Sequence, residues 1–300
     1  MSRRGPFCRT IRVGRRRRAC DALWATGSGI LKGVSLHTTL LRPNVPVSIS
    51  FEDHSYDAGP FDILGDIHGC IDELREMLAL LGDDPGRKLV FVGDLVDRGP
   101  STPEVVKLVS SLVEAGRAYC VCGNHDLRLA RALRGMGLPA AKGLTETLGQ
   151  MSQETEEFRH EAASFLETQP GHLLLDHGRL LIAHAGLPER FHRSPSAEAR
   201  EIAIHGQKTG ERDQFDHVRY PWAKDYRGTP LVVFGHTPVE QPVWENNTLN
   251  LDTGCVFGGK LTAYRYPERE FVTVTPRAQY SKAPRPFLPN DPRMAQMVAR

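Results

Sequence analysis

Apolar residues first gather at Phe61-Asp62-Ile63-Leu64, a short strand-like run that stops at a glycine. Apolar positions 71, 74, 77, 78 and 81 then recur at the spacing of one helix face, which predicts a helix over Cys70–Leu81. The same unit follows twice more. Lys88–Val92 reads as a buried strand and Pro103–Ala115 as a helix with proline in its first turn; Ala118–Cys122 reads as a third strand, and Leu127–Leu133 opens a third helix. Strand, glycine-bearing loop and helix in repetition predict a parallel sheet with functional loops at the carboxyl ends of its strands.

The pattern changes after residue 140. Residues 140–170 are polar and helical in character and are expected to form a cap beside those loops. Short strands follow at Leu180–Ala183, Leu231–Phe234, Thr248–Leu251, Leu261–Arg265 and Phe271–Val274, the last three alternating like strands of a second sheet. The expected fold class is therefore α/β, an αββα sandwich of two mixed sheets packed face to face and flanked by helices. Residues 1–58 look unlike the rest, basic and irregular, with only weak alternation over residues 47–51, and read as an N-terminal extension. The main domain is expected over 59–275, with a Pro-rich tail over 276–300.

Charge adds little to this picture. The formal net charge is +2, so the overall balance makes no case for nucleic acid; the eight arginines among the first twenty residues, including Arg15–Arg18, read as a solvated run. Cys8, Cys20, Cys70, Cys120, Cys122 and Cys255 form no CxxC pair, which fits a reducing compartment. No apolar run reaches the roughly 20 residues of a membrane span, and no clean apolar leader follows the arginines, so a cytoplasmic location is expected.

The chemistry sits where the strands end. In order, the loops read Gly65-Asp66-Ile67-His68-Gly69, Gly93-Asp94-Leu95-Val96-Asp97-Arg98-Gly99, Gly123-Asn124-His125-Asp126, His184-Ala185-Gly186 and Gly235-His236-Thr237. Asp66 and His68, two apart past a strand end, can reach one metal ion from extended backbone. Asp94 is placed to bridge two ions, and Asn124, His184 and His236 would complete the second. Carboxylate and imidazole ligands without thiolate favour Mn²⁺, Fe or Zn²⁺ over Ca²⁺. Two adjacent ions supply a nucleophile at neutral pH and a clamp on phosphoryl charge, so phosphate ester hydrolysis is the expected reaction. Arg98 offers a guanidinium fork for phosphate oxygens. His125, beside Asn124, is the candidate general acid, with Asp97 to orient it and hold it cationic. Asp252 ends a further strand and is a candidate support for a ligand.

Each motif alone has a plainer reading: a chance Asp-x-His, an Asn turn, or a packed core histidine at His184. Five in order, each after an apolar strand, leave little room for these. The histidines at 160, 172, 177, 192, 205 and 217 are assigned solvated or packing roles, and Cys70 and Cys255 are read as small core residues. Phe257-Gly258-Gly259-Lys260 is not a nucleotide-binding P-loop, whose spacing is absent from the whole chain.

Taken together, these motifs resemble the calcineurin-like metallophosphoesterases of the phosphoprotein-phosphatase type over about residues 59–275. The stretch Asn247–Ala263 is similar both to bacterial symmetrical bis(5′-nucleosyl)-tetraphosphatases and to the phosphatase module of bacterial polynucleotide kinase-phosphatases. The resemblance implies Asp66, His68 and Asp94 on one divalent ion and Asp94, Asn124, His184 and His236 on the other, with Mn²⁺ first and Fe, Zn or Ni as alternatives. It also implies Arg98, Asn124 and His125 on the substrate, with Asp97 as partner of His125. The implied substrates are diadenosine tetraphosphate and an RNA end bearing a 3′ or 2′,3′-cyclic phosphate, the latter calling for separate kinase and ligase subunits. A protein serine/threonine phosphatase is the alternative. A catalytically dead binding protein is disfavoured, since no motif residue is missing.

Overall fold

A computed structural model of the chain describes residues 51–137, 143–214 and 217–288. In chain order the elements are β1 (Phe51–Asp53), β2 (Phe61–Leu64), α1 (Ile71–Leu81), β3 (Lys88–Phe91), α2 (Thr102–Glu114), β4 (Ala118–Cys120), α3 (Asn124–Leu133), α4 (Leu144–Met151), α5 (Glu156–Thr168), β5 (His172–Leu175) and β6 (Leu180–Ala183). They continue with α6 (Ala197–His205), β7 (Lys208–Arg212), β8 (His217–Arg219), α7 (Trp222–Asp225), β9 (Leu231–Phe234), β10 (Val243–Glu245), β11 (Thr248–Asn250), β12 (Leu261–Tyr266) and β13 (Glu270–Val274).

Two sheets form the centre. One runs β13-β12-β2-β3-β4 and the other β1-β5-β6-β9-β11-β10, while β7 and β8 make a separate hairpin. Strands β2, β3 and β4 are parallel, as the repeated strand–helix unit predicts, and β6, β9 and β11 are parallel in the second sheet. Side-chain alternation explains the layering. Phe61, Ile63, Val90 and Val92 face Leu173, Leu175, Leu180, Ile182 and Val233 between the sheets. Their neighbours Leu64 and Phe91 turn outward against Leu74, Met77, Val105 and Val109 of α1 and α2. On the far side, Leu181 and Val232 pack against Ala199, Ile202, Trp222 and Tyr226. This is the helix–sheet–sheet–helix order anticipated.

Four expectations need correction. Strands β12 and β13 join the first sheet, not the second: Ala263 pairs with Leu64 and Tyr264 with Ile63 in an antiparallel ladder. Alternation fixes a strand's faces but not its neighbour. The extension read over 1–58 gives its end to the fold, because β1 pairs parallel with β5; the Arg15–Arg18 run and positions 47–50 lie outside the described residues. Strands β5, β7, β8 and β10 fall where no strand was expected. The tail from Pro276 is packed as far as Leu288: Tyr280 donates to Glu73 (2.9 Å), and the Leu288 amide donates to the Pro238 carbonyl (3.0 Å).

The segment expected to cap the site packs on α2 and α3. From it, Gln150 of α4 accepts from the Thr102 amide (2.8 Å) and donates to the Gly99 carbonyl (3.0 Å), holding the loop of the second motif. No helix among the described residues is long and apolar enough to cross a membrane.

Candidate metal centre

The parallel strands of both sheets deliver their carboxyl ends to one edge, and the five loops meet there. Backbone hydrogen bonds zip the first two together: the Ile67 and His68 amides donate to the Asp94 carbonyl (3.1 and 2.9 Å) and the Gly69 amide to Leu95 (2.8 Å). The fit admits no side chain at Gly99, whose β-carbon would lie 1.9 Å from the His68 carbonyl oxygen. The backbone bends sharply to aim the side chains. His68, Asp94, Asp97, Arg98 and His236 all have positive φ, between 47° and 71°. Strain of this kind concentrates at functional sites.

Asp94 is the hub. Its Oδ1 accepts from the His125 amide (2.9 Å), and its Oδ2 lies 3.6 Å from His68 Nε2 and 3.4 Å from His184 Nε2. Asn124 Oδ1 is 3.2 Å from His184 Nε2, and His236 Nδ1 is 3.0 Å from the same atom. Asp66 accepts from the His236 amide with both oxygens at 3.2 Å. Candidate ligand atoms of His68, Asp94 and His125, and again of Asp94, His184 and His236, lie within 4.8 Å of one another. All six expected metal-ligating residues are thus brought together, and Arg98, Asp97, His125 and Asp252 border them.

The electrostatics of this donor set fit bound cations. Burial, then the charge of Asp252, pushes Asp66 well above the carboxylate range. Burial would raise Asp94 too, but the imidazoles of His184, His125 and His68 outweigh it and hold that carboxyl well below its usual range. Burial opposes a proton on His184, yet Asp94, Asp66 and Asp126 raise it to about 9. Negative charge buried this densely is balanced by protons or by metal ions. The imidazoles are also pre-set as ligands: His68 Nδ1 points at the Val96 carbonyl (2.7 Å) and His184 Nδ1 at the Val92 carbonyl (3.0 Å). With the Nδ1 protons donated there, Nε2 is the atom each ring turns toward Asp94, and a cation would take the place of the proton that His184 holds.

Residues 59–268 match the family described as calcineurin-like phosphoesterase. The chain belongs to that family. Among curated relatives, asymmetrical bis(5′-nucleosyl)-tetraphosphatase PrpE of Anoxybacillus flavithermus is 43% identical over 242 residues, spanning 76% of this chain and 99% of the relative. The protein of the same name from Oceanobacillus iheyensis is 41% identical over 233 residues, 73% of this chain and 93% of the relative. A solved structure carrying the provisional name diadenosine tetraphosphatase aligns with a TM-score of 0.58 and 28% identity over 76% of this chain and 98% of its own. The two curated relatives are named for asymmetrical cleavage, whereas the sequence pointed to the symmetrical kind. A yeast protein serine/threonine phosphatase shares the fold at 16% identity, with a TM-score of 0.54 over 77% of this chain and 84% of its own.

Around the calcineurin-like centre, three further residues carry part of the geometry. Arg128 donates to Asp97 Oδ2 (2.6 Å), the oxygen that also faces His125 Nδ1 at 2.7 Å. Arg128 and His125 Nδ1 are themselves 2.7 Å apart; Nδ1 keeps its proton and donates it to Asp97, the acceptor, with the guanidinium pairing to the same carboxylate. Arg128's trace in the sequence is its place three residues past His125, one turn along the same helix face. Phe257 lies under the Arg98 guanidinium, 5.2 Å from ring centre to carbon, and no motif announces it. Asp126 ties two loops by accepting from the Leu95 and Gly123 amides (both 2.9 Å), and burial with the Asp94 charge raises it to about 7.

The polar partners pull in different directions. Burial, Arg98 and Arg128 oppose a proton on His125 and leave the imidazole below its usual value, while Asp94 and the hydrogen bond to Asp97 favour one. Arg98 rests with Nη1 2.6 Å from His68 Nε2, so its fork is turned onto a candidate ligand. Asp252 is buried, accepts from the Gly254 amide (3.0 Å), and is raised by burial and the Asp94 charge to about 6.

Proposed function

We propose that this chain is a divalent-metal-dependent hydrolase of dinucleoside polyphosphates, cleaving diadenosine tetraphosphate asymmetrically into ATP and AMP. The observation that carries this reading is the convergence of imidazoles and carboxylates on Asp94, in a chain 43% identical along nearly the whole length of a relative named for that reaction. Asp66, His68 and Asp94 would hold one ion, and Asp94, Asn124, His184 and His236 the other, with Mn²⁺ our first choice of metal. Bound there, the ions supply a nucleophile at neutral pH and neutralise phosphoryl charge.

The chain's own side chains do the rest. The carbonyls of Val96 and Val92 fix the tautomers of His68 and His184. The lone pair of His68 Nε2 cannot serve Arg98 and a cation at once, so with an ion held by His68 the guanidinium would be released from that ring. From its seat on Phe257, the freed fork can take two phosphate oxygens. His125, oriented through Nδ1 by Asp97, presents Nε2 to the leaving oxygen; phosphoryl charge beside the ring favours its cationic form, from which it can protonate a basic leaving group.

Metal-loaded protein should be incubated with diadenosine tetraphosphate and the products separated by anion exchange. ATP with AMP is expected. Two ADP would return the symmetrical assignment. Indifference to the dinucleotide, with rapid removal of a 3′ or 2′,3′-cyclic phosphate from RNA or of phosphate from a phosphoserine peptide, would replace the reading altogether.

A further inference from the structure

We propose that Cys70, Glu73 and Cys255 form an additional metal site, built for zinc and separate from the catalytic centre. Their ligand atoms lie within 4.8 Å of one another, and all three residues are buried. The fold brings them together from distant parts of the chain. Cys70 immediately precedes α1 and Glu73 stands in its first turn, three residues on and so on the same face, while Cys255 opens a short 3₁₀ turn over Cys255–Phe257.

The observation that points to a ligand is Glu73. Its Oε1 accepts from the Arg277 amide (2.9 Å) and the Tyr280 hydroxyl (2.9 Å), yet its Oε2, in a residue only 1% exposed, has no hydrogen-bond partner. A buried carboxylate oxygen beside two sulfurs is a poor core arrangement and a good set of donors. A divalent cation entering here releases one proton from each thiol and gains two thiolates and one carboxylate oxygen; a water or the Tyr280 hydroxyl would complete a tetrahedron. Two thiolates select zinc over manganese, magnesium or calcium. The ion would brace the catalytic loops from behind, because Cys70 lies two residues past His68 and Cys255 three past Asp252. It would also anchor the segment after Pro276 that supplies Arg277 and Tyr280.

The test is cobalt titration of the full chain, purified in reductant. The catalytic residues offer only oxygen and nitrogen, so a near-ultraviolet thiolate-to-cobalt absorption reports this site and not theirs. We expect that absorption in the wild type, its displacement by zinc, and its loss in Cys255→Ser together with one metal ion per chain. Glu73→Gln, which keeps both thiols, should weaken cobalt binding at least about tenfold. Circular dichroism of each variant guards against misfolding. A reduced wild type without the absorption would overturn the site whatever the variants do. So would an absorption that survives in Cys255→Ser, which would place the thiolates elsewhere, or recovery of a Cys70–Cys255 disulfide with no cobalt signal.

Discussion

Asp66 and Gly235 compete for one space: a β-carbon on Gly235 would stand 2.0 Å from Asp66 Oδ1. The fifth loop closes over the first only because position 235 has no side chain. Gly235→Ala should therefore push the Asp66 carboxylate aside. The atom displaced is the tip of a side chain, so the fold should tolerate the change while the site does not. We expect turnover to fall by about a hundredfold, the usual consequence of misplacing a reacting group by an ångström, with little loss in Tm. Gly99→Ala should behave oppositely, since its clash is with the His68 backbone, and should yield little folded protein. Wild-type turnover in Gly235→Ala would show that Asp66 is not needed where it stands.

Asp94 both orders the loops and faces the imidazoles, and substitution can separate the two roles. Asp94→Asn keeps an oxygen to accept from the His125 amide but loses the anionic oxygen near His68 and His184. The variant should fold, bind less Mn²⁺ per chain and lose at least about a hundredfold in turnover, more than is typical for a supporting residue. Chelation of the wild type should abolish activity, and added Mn²⁺ should restore it. Metal analysis beside the kinetics decides the point: full metal content with full activity in Asp94→Asn would remove it from the centre.

His125 should matter in proportion to the basicity of the leaving group. A nucleotide phosphate or a nitrophenolate leaves readily as an anion, whereas an alkoxide needs a proton. His125→Ala should slow hydrolysis of an alkyl phosphate by about 10²–10⁴-fold, the range of general acid catalysis, and that of nitrophenyl phosphate far less. Asp97→Asn should fall between, because the ring loses its orienting carboxylate and one of the groups that favour its proton but stays in place. Equal losses on both esters would mean that His125 binds substrate instead of protonating the leaving group.

The centre was legible where ligand-type residues stand directly after buried strands, as at Asp66, Asp94 and His184, because strand ends in a parallel sheet converge. Arg128 was half-legible: its spacing from His125 is visible, but pairing with Asp97 depends on how α3 docks. Phe257 was hidden, for no local pattern says that a ring in a short turn will lie beneath Arg98. Sheet membership was hidden for the same kind of reason. Leu261–Tyr266 alternates equally well in either sheet, and only its long-range pairing with Phe61–Leu64 decides. The tail offered a signal in Tyr280 and Phe287, apolar residues that a solvated linker seldom needs and that pack on the main core.

A last expectation concerns acid stability and rests on His172, far from the centre. The ring is fully buried in β5, stacked on Phe51 at 5.0 Å, with Nε2 against the His192 carbonyl (3.1 Å) and Nδ1 without a partner. Burial lowers it to about 4, from an ordinary value of 6.5. The unfolded chain therefore takes up a proton near pH 6.5 that the folded chain refuses until about pH 4. Stability from this residue is complete above pH 6.5 and drains away as pH falls to about 4, a loss of up to roughly 3 kcal/mol at about 1.4 kcal/mol per unit. His172→Phe would retain the stack on Phe51 and cannot titrate. Denaturant unfolding of both proteins from pH 7 to 4 should give curves that converge toward acid, the variant losing less. Parallel curves would show that the His172 ring is protonated in the folded state, with its charge accommodated between the strand and His192.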